Sequence, residues 1–221
     1  MADEAPDDAV SRFPGYDVLR KRRTPSWNAQ TRRVVEARLA VPVEPRFLTA
    51  SEYVTLQAVA ARLVPQPAGR PPVPVAALVD AKLHEDRQEG YRGDGMPRQR
   101  EAWRRGLRAL DAEACARHGA RFHALDGAAQ DTLLRRMQQG ELDDAAWEGM
   151  PPKTFFSQRL AHDVVAAYWS HPTAWSEMGW GGPASPRGYV RMGFDERDPW
   201  EAAEIRDGDR VAAMRKNLRV G

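Results

Sequence analysis

Apolar residues recur along most of this chain at a period close to 3.6, and no stretch alternates in the way a half-buried strand would. Tyr53, Leu56, Val59, Ala60 and Leu63 follow Thr49 and Glu52, which are spaced as a capping box, and Pro65 stops the helix they predict. Pro74 opens a second helix through Val75, Leu78, Val79 and Leu83, ended by the turn at 90–95. A third runs over 97–118 with Trp103, Leu107, Leu110 and Ala114 on one stripe and Gly119 as its cap. Asp126 caps a fourth, which carries Leu133, Leu134 and Met137 and closes at Gly140. Pro151 and Pro152 open a fifth, in which Phe155, Phe156, Leu160, Val164 and Tyr168 repeat until His171 and Pro172. The pattern predicts an all-α fold, a helical bundle of about five main helices over 47–170.

The ends are different. Residues 1–46 read as an extended N-terminal arm, with Phe13, Tyr16 and Trp27 as isolated aromatic anchors and one short helical stretch over 30–39. The proline-rich run 65–74 reads as a stiff spacer between helices. Residues 171–221 read as a glycine-, proline- and tryptophan-rich loop followed by a tail. Within 171–193 stand two tryptophans, a tyrosine, five glycines and three prolines, a composition that excludes one regular helix. Long ordered loops are uncommon in compact domains unless they have a task, so this one is expected to meet a partner.

Charge narrows the partner. The 33 basic and 31 acidic residues nearly cancel to a net +2, so no global basic field points to nucleic acid or an anionic membrane. The cluster Arg20-Lys-Arg-Arg23 is read as a solvated part of the arm. No apolar run approaches the length of a membrane span. No apolar leader follows the basic cluster, so a cytoplasmic location is expected, or a periplasmic one if a partner carries the signal.

Reactive constellations are few. None of His84, His118, His123, His162 and His171 forms a paired metal motif with another. His162 and Asp163, with His171, leave open an alternative reading as a stand-alone helical metal-binding protein or enzyme, against a helix-surface pair and a helix C-terminal histidine. The glycines at 179, 181 and 182 follow a helix rather than a strand, which excludes a dinucleotide fingerprint. Asp143 and Asp144 read as a hydrated loop, and Cys115, the single cysteine, as a small packed residue. No catalytic, cofactor-binding or metal-binding residue is therefore expected. Phe13, Tyr16, Trp27, Trp175, Trp180, Arg187, Tyr189 and Arg191 have the aromatic and arginine bias of protein interfaces and are the candidate partner-binding residues. Trp147 and Trp200 share that bias, and any of these aromatics can instead pack the arm and tail.

One ordered set of short motifs adds a further expectation. Phe47-Leu-Thr-Ala-Ser-Glu52 with Leu56 and Pro65, Val79-Asp80 with Leu83, Gly106-Leu-Arg-Ala-Leu-Asp111, Phe122-His-Ala-Leu125 with Gln130 and Leu133-Leu134, and Phe155-Phe156 follow one another in the chain. In that order they resemble the small subunit, subunit 3, of gluconate 2-dehydrogenase, over 47–193. The resemblance implies an accessory role beside a large FAD-dependent flavoprotein of the glucose–methanol–choline type, which oxidises a sugar, sugar acid or polyol. It also implies a cytochrome c subunit, bearing haem, as a further partner. The small subunit itself is expected to hold no cofactor and to serve folding, maturation or export of the flavoprotein. Many members start with a twin-arginine leader, which this sequence does not show.

Overall fold

The structure, a computed structural model, describes residues 11–68, 70–88, 92–142, 144–183 and 201–219. Its helices are α1 (Ala29–Leu39), α2 (Ala50–Leu63), α3 (Val75–His84), α4 (Gln99–His118), α5 (Gly127–Gln139), α6 (Pro152–Phe155), α7 (His162–Ser170), α8 (Pro172–Trp175) and α9 (Arg210–Asn217). Among the described residues there is no strand, and the fold class is all-α. The chain forms two compact units, one drawn from Val41–Gln66 and Pro74–Tyr168, the other from Met1–Ala40, Pro67–Val73 and Trp169–Gly221.

The helical unit, 41–66 with 74–168, is held by local signals that reappear as atomic contacts. Thr49 Oγ1 accepts the Glu52 amide at 3.3 Å while Glu52 Oε2 accepts the Thr49 amide at 2.9 Å, a complete capping box for α2. Asp126 accepts the Ala129 amide at 2.8 Å to start α5, and Gly119 and Gly140 close α4 and α5 with φ of 71° and 80°. Asp80, 1% exposed on α3, accepts the amides of Arg46 and Leu48 at 2.7 and 2.8 Å and that of Phe47 at 3.1 Å. Those amides lie in the irregular approach to α2, where no helix ladder would satisfy them. Asp111 likewise accepts the Phe122 amide and the Thr55 hydroxyl, each at 3.1 Å, and joins α4 to α2 and to the 3-10 turn Phe122–Ala124.

The interior is centred on Phe155, fully buried, with Trp103 edge-on at 5.7 Å and Trp147 tilted at 5.8 Å between ring centroids. Gly106 of α4 sits against the Phe155 ring so closely that any β-carbon there would overlap it. The fifth helix of the sequence reading is divided: between α6 and α7 the residues Phe156–Ala161 form a π-helical turn. The reason is in the pattern, because Phe155 and Leu160 are five apart, and a wider turn lets the adjacent Phe155 and Phe156 both be buried.

The second unit contains the arm and the C-terminal segment, which the sequence pattern treats separately. Asn28 caps α1 through the Thr31 amide at 2.8 Å, and the 3-10 turn Val18–Arg23 precedes it. That turn alters the reading of the basic cluster: Lys21 is buried, 2% exposed, with its pKa lowered by burial against the raising effect of Glu201. Helix α9 lies in what the pattern treats as tail. Its Asn217 is fully buried, donates to Pro14 and Ala203 carbonyls at 2.9 and 2.8 Å and accepts the Ala203 amide at 2.6 Å.

His171 is also a difference. It does not serve the last carbonyls of the preceding helix; its Nδ1 accepts the Thr173 amide at 3.3 Å and so caps α8. The ring is 4% exposed, and burial, then the guanidiniums of Arg70 and Arg38, push its pKa down from 6.5 to about 4.

Two outcomes follow from these contacts. Gly106→Ala must push the Phe155 ring out of place and is expected to cost about 1–3 kcal/mol in urea unfolding; an unchanged midpoint would show that the α4 contact is slack. Above pH 6.5 the His171 ring is neutral in both states, whereas between 6.5 and about 4 the unfolded chain binds a proton that the folded ring refuses. Stability should therefore fall by roughly 2 kcal/mol as pH drops through that window, discounted for screening at a helix end. His171→Asn, which keeps an acceptor for the Thr173 amide, should lose that part of the dependence in unfolding titrations, and an equally steep variant would remove the assignment.

Candidate partner-binding surface

The segment after His171 opens with the short helix α8 and is then held largely by side-chain donors. Tyr16 Oη donates to the Trp180 carbonyl at 3.2 Å, Trp27 Nε1 to the Gly181 carbonyl at 3.3 Å and Trp175 Nε1 to the Trp169 carbonyl at 3.0 Å. Ser176 Oγ accepts the Val18 amide at 3.1 Å. Arg70 donates to the Thr173 carbonyl at 2.7 Å and pairs with Glu177, and Arg38 donates to the Ser170 carbonyl at 3.2 Å while lying over the Trp175 ring. Gly179 and Gly182, at φ of 67° and 81°, run against the rings of Phe13 and Trp27, where a side chain has neither the backbone geometry nor the room.

This arrangement divides the candidate residues. Phe13, Tyr16, Trp27 and Trp175 are 6%, 7%, 2% and 0% exposed and form one apolar core with Val18, Val35 and Ala202. Trp180 packs edge-on against Trp175 at 4.5 Å yet stays 41% exposed, and Met178 beside it is 40% exposed. Trp169 is open to a similar degree. Arg187, Tyr189 and Arg191, like Trp200 and Asp143, lie outside the described residues. Trp147 belongs to the interior of the helical unit, and its Nε1 donates to Glu113 at 3.4 Å.

Asp163 and Glu113 of the helical unit are engaged in holding it together. Asp163, 2% exposed, accepts from Trp103 Nε1 at 2.9 Å and from Lys82 Nζ at 3.1 Å, with His162 Nδ1 also at 3.1 Å. A carboxylate so surrounded is held in place by its donors. Glu113 is held by Arg117 at 3.0 Å. Among the described residues no group of three or more His, Cys, Asp or Glu side chains could hold a metal ion. Cys115 is exposed, contrary to the packed position its alanine neighbours suggest. No helix among the described residues is long and apolar enough to cross a membrane.

Known proteins add one match. The family model described as gluconate 2-dehydrogenase subunit 3 covers residues 50–182, while no curated protein and no solved structure matches the chain. The covered residues run from the first turn of α2 to the glycine packed on Trp27, and include Asp80, Gly106, Asp111, Phe122 and Phe155 at the contacts described above. With the match spanning more than half of its length, the protein belongs to the gluconate 2-dehydrogenase subunit 3 family, and so to the accessory subunits of an oxidoreductase complex.

Proposed function

We propose that the chain is a non-catalytic small subunit that binds and stabilises an FAD-dependent dehydrogenase of the glucose–methanol–choline type. The observation that carries this reading is the segment 171–183, which is clamped by its own unit and still leaves Trp180 and Met178 open. A rigid aromatic edge loses little entropy on docking, which is why tryptophan is frequent where binding energy concentrates.

In this reading FAD and the oxidation of a sugar, sugar acid or polyol such as gluconate belong to the large subunit. A cytochrome c subunit takes the electrons onward. The small subunit contributes folding, maturation or export of its partner by covering a surface that the flavoprotein otherwise leaves exposed.

Expression with and without the large flavoprotein tests this directly. Co-elution of the two chains, flavin absorbance and dye-linked oxidation of gluconate are expected together only from the co-expressed material. A flavoprotein that is equally active alone, with this chain eluting separately, would contradict the proposal. Within a complex, Met178→Ala with Trp180→Ala should weaken association by about 1–2 kcal/mol or more, measured by titration calorimetry. The melting temperature of the isolated variant should fall only modestly, by the loss of the Trp175–Trp180 contact, because both side chains are about 40% exposed. Unchanged affinity would move the contact away from this edge.

A further inference from the structure

A groove of about 610 Å³ opens in the helical unit between the start of α2, the outer face of α4 and Arg121. Arg104, Arg108 and Arg121 line it, with Glu52, Asp111 and Cys115 among their neighbours. Just beyond it Arg100 and Arg104 both lie against the Phe47 ring, 4.5 and 4.4 Å from its centroid. The polar contacts of these arginines are with neutral oxygens. Arg104 donates to the Phe47 carbonyl at 2.7 Å, Arg108 to the Arg104 carbonyl at 3.2 Å and Arg121 to Ser51 Oγ.

None of Arg100, Arg104, Arg108 and Arg121 is in an ion pair among the described residues. Other arginines of the same unit are paired, Arg62 with Asp131, Arg105 with Glu101 and Arg117 with Glu113. The groove's own carboxylates are turned elsewhere, Glu52 to the Thr49 amide and hydroxyl and Asp111 to Thr55 and the Phe122 amide. Arg100, Arg104 and Arg108 thus form an exposed row along α4 with no ion pair among the described residues, and Arg121 stands beside it.

Spacing indicates what would compensate it. Arg100, Arg104 and Arg108 are one turn apart on α4, about 6 Å per step and about 12 Å along the stripe. A small anion can bridge one such pair but not the row. Same-face side chains of an extended peptide repeat at about 6.6–6.8 Å, which matches the row with an acid at every second residue. Each guanidinium fork suits a carboxylate, and stacking on Phe47 holds two of them in place beforehand. That same ring, already occupied by cations, is not offered to nucleic-acid bases, whose single strands need open aromatic faces.

We propose that this groove takes an extended acidic segment of the large subunit, its alternate carboxylates on Arg100, Arg104 and Arg108 and Arg121 at the side. The proposal rests on the docking role of the preceding subsection. Its test uses the full chain and the purified flavoprotein, with the dissociation constant measured at low and moderate salt. Arg100→Glu with Arg108→Glu should weaken binding roughly tenfold or more and flatten its salt dependence, with an unchanged circular dichroism spectrum. Arg33→Glu, on α1, should bind as the unaltered chain does.

A readout without substitution uses Cys115, the only cysteine, which is exposed in the groove. Its alkylation by iodoacetamide should slow roughly tenfold or more in the complex, as burial at an interface excludes reagent. A complex that forms with unaltered affinity in the glutamate variant and leaves Cys115 as reactive as before overturns the groove while sparing the docking role. A wild-type chain that forms no complex overturns both. A short single-stranded oligonucleotide that protects Cys115 better than the flavoprotein does, and loses this effect in the glutamate variant, overturns the acidic-peptide assignment.

Discussion

A stretch of chain without a helix ladder must still find partners for its backbone groups, and the arm-and-loop unit is organised around that constraint. Its answer is a set of aromatic side chains that are apolar in body and polar at the tip. Trp27 and Tyr16 bury their rings in the common core and direct Nε1 and Oη at the carbonyls of Gly181 and Trp180. Trp175 does the same for the Trp169 carbonyl. Each ring thus supplies packing and one hydrogen bond at once, and only glycine at 179 and 182 lets the backbone approach closely enough. Loss of one ring would open a cavity and remove one donor to the loop backbone.

The helical unit meets the same constraint with carboxylates. Asp80 gathers the amides before α2, Asp111 holds the turn after α4, and Asp163 joins Trp103 to Lys82. These carboxylates serve as structural acceptors in a chain that belongs to a family of accessory subunits of an oxidoreductase.

Much of this was legible in the residues. Caps at Thr49, Asp126, Gly119 and Gly140 have local signatures, because capping is decided within four residues of chain. The π-helical turn was not, since a five-residue step between Phe155 and Leu160 is easily absorbed into an ordinary helical stripe. Helix α9 escaped because its larger apolar side chains, Val211 and Met214, are exposed and its anchor is a buried amide, Asn217. The aromatic residues before and after the bundle were read as candidate partner contacts, with Phe13, Tyr16 and Trp27 also as anchors, but which of them point inward depends on pairing across more than 140 positions, as between Trp27 and Gly181. The arginine row of α4 was hidden by composition, because a near-zero net charge says nothing about where unpaired cations collect.

Amide hydrogen exchange, read peptide by peptide on the isolated chain and on its mixture with the flavoprotein, tests the central claim most directly. An account in which a pre-ordered chain acts by docking predicts that 171–182 is already protected in isolation, and that mixing adds protection around Met178 and Trp180 and along α4. Fast exchange throughout 171–182 in the isolated chain, or a pattern that mixing leaves unchanged everywhere, would contradict it.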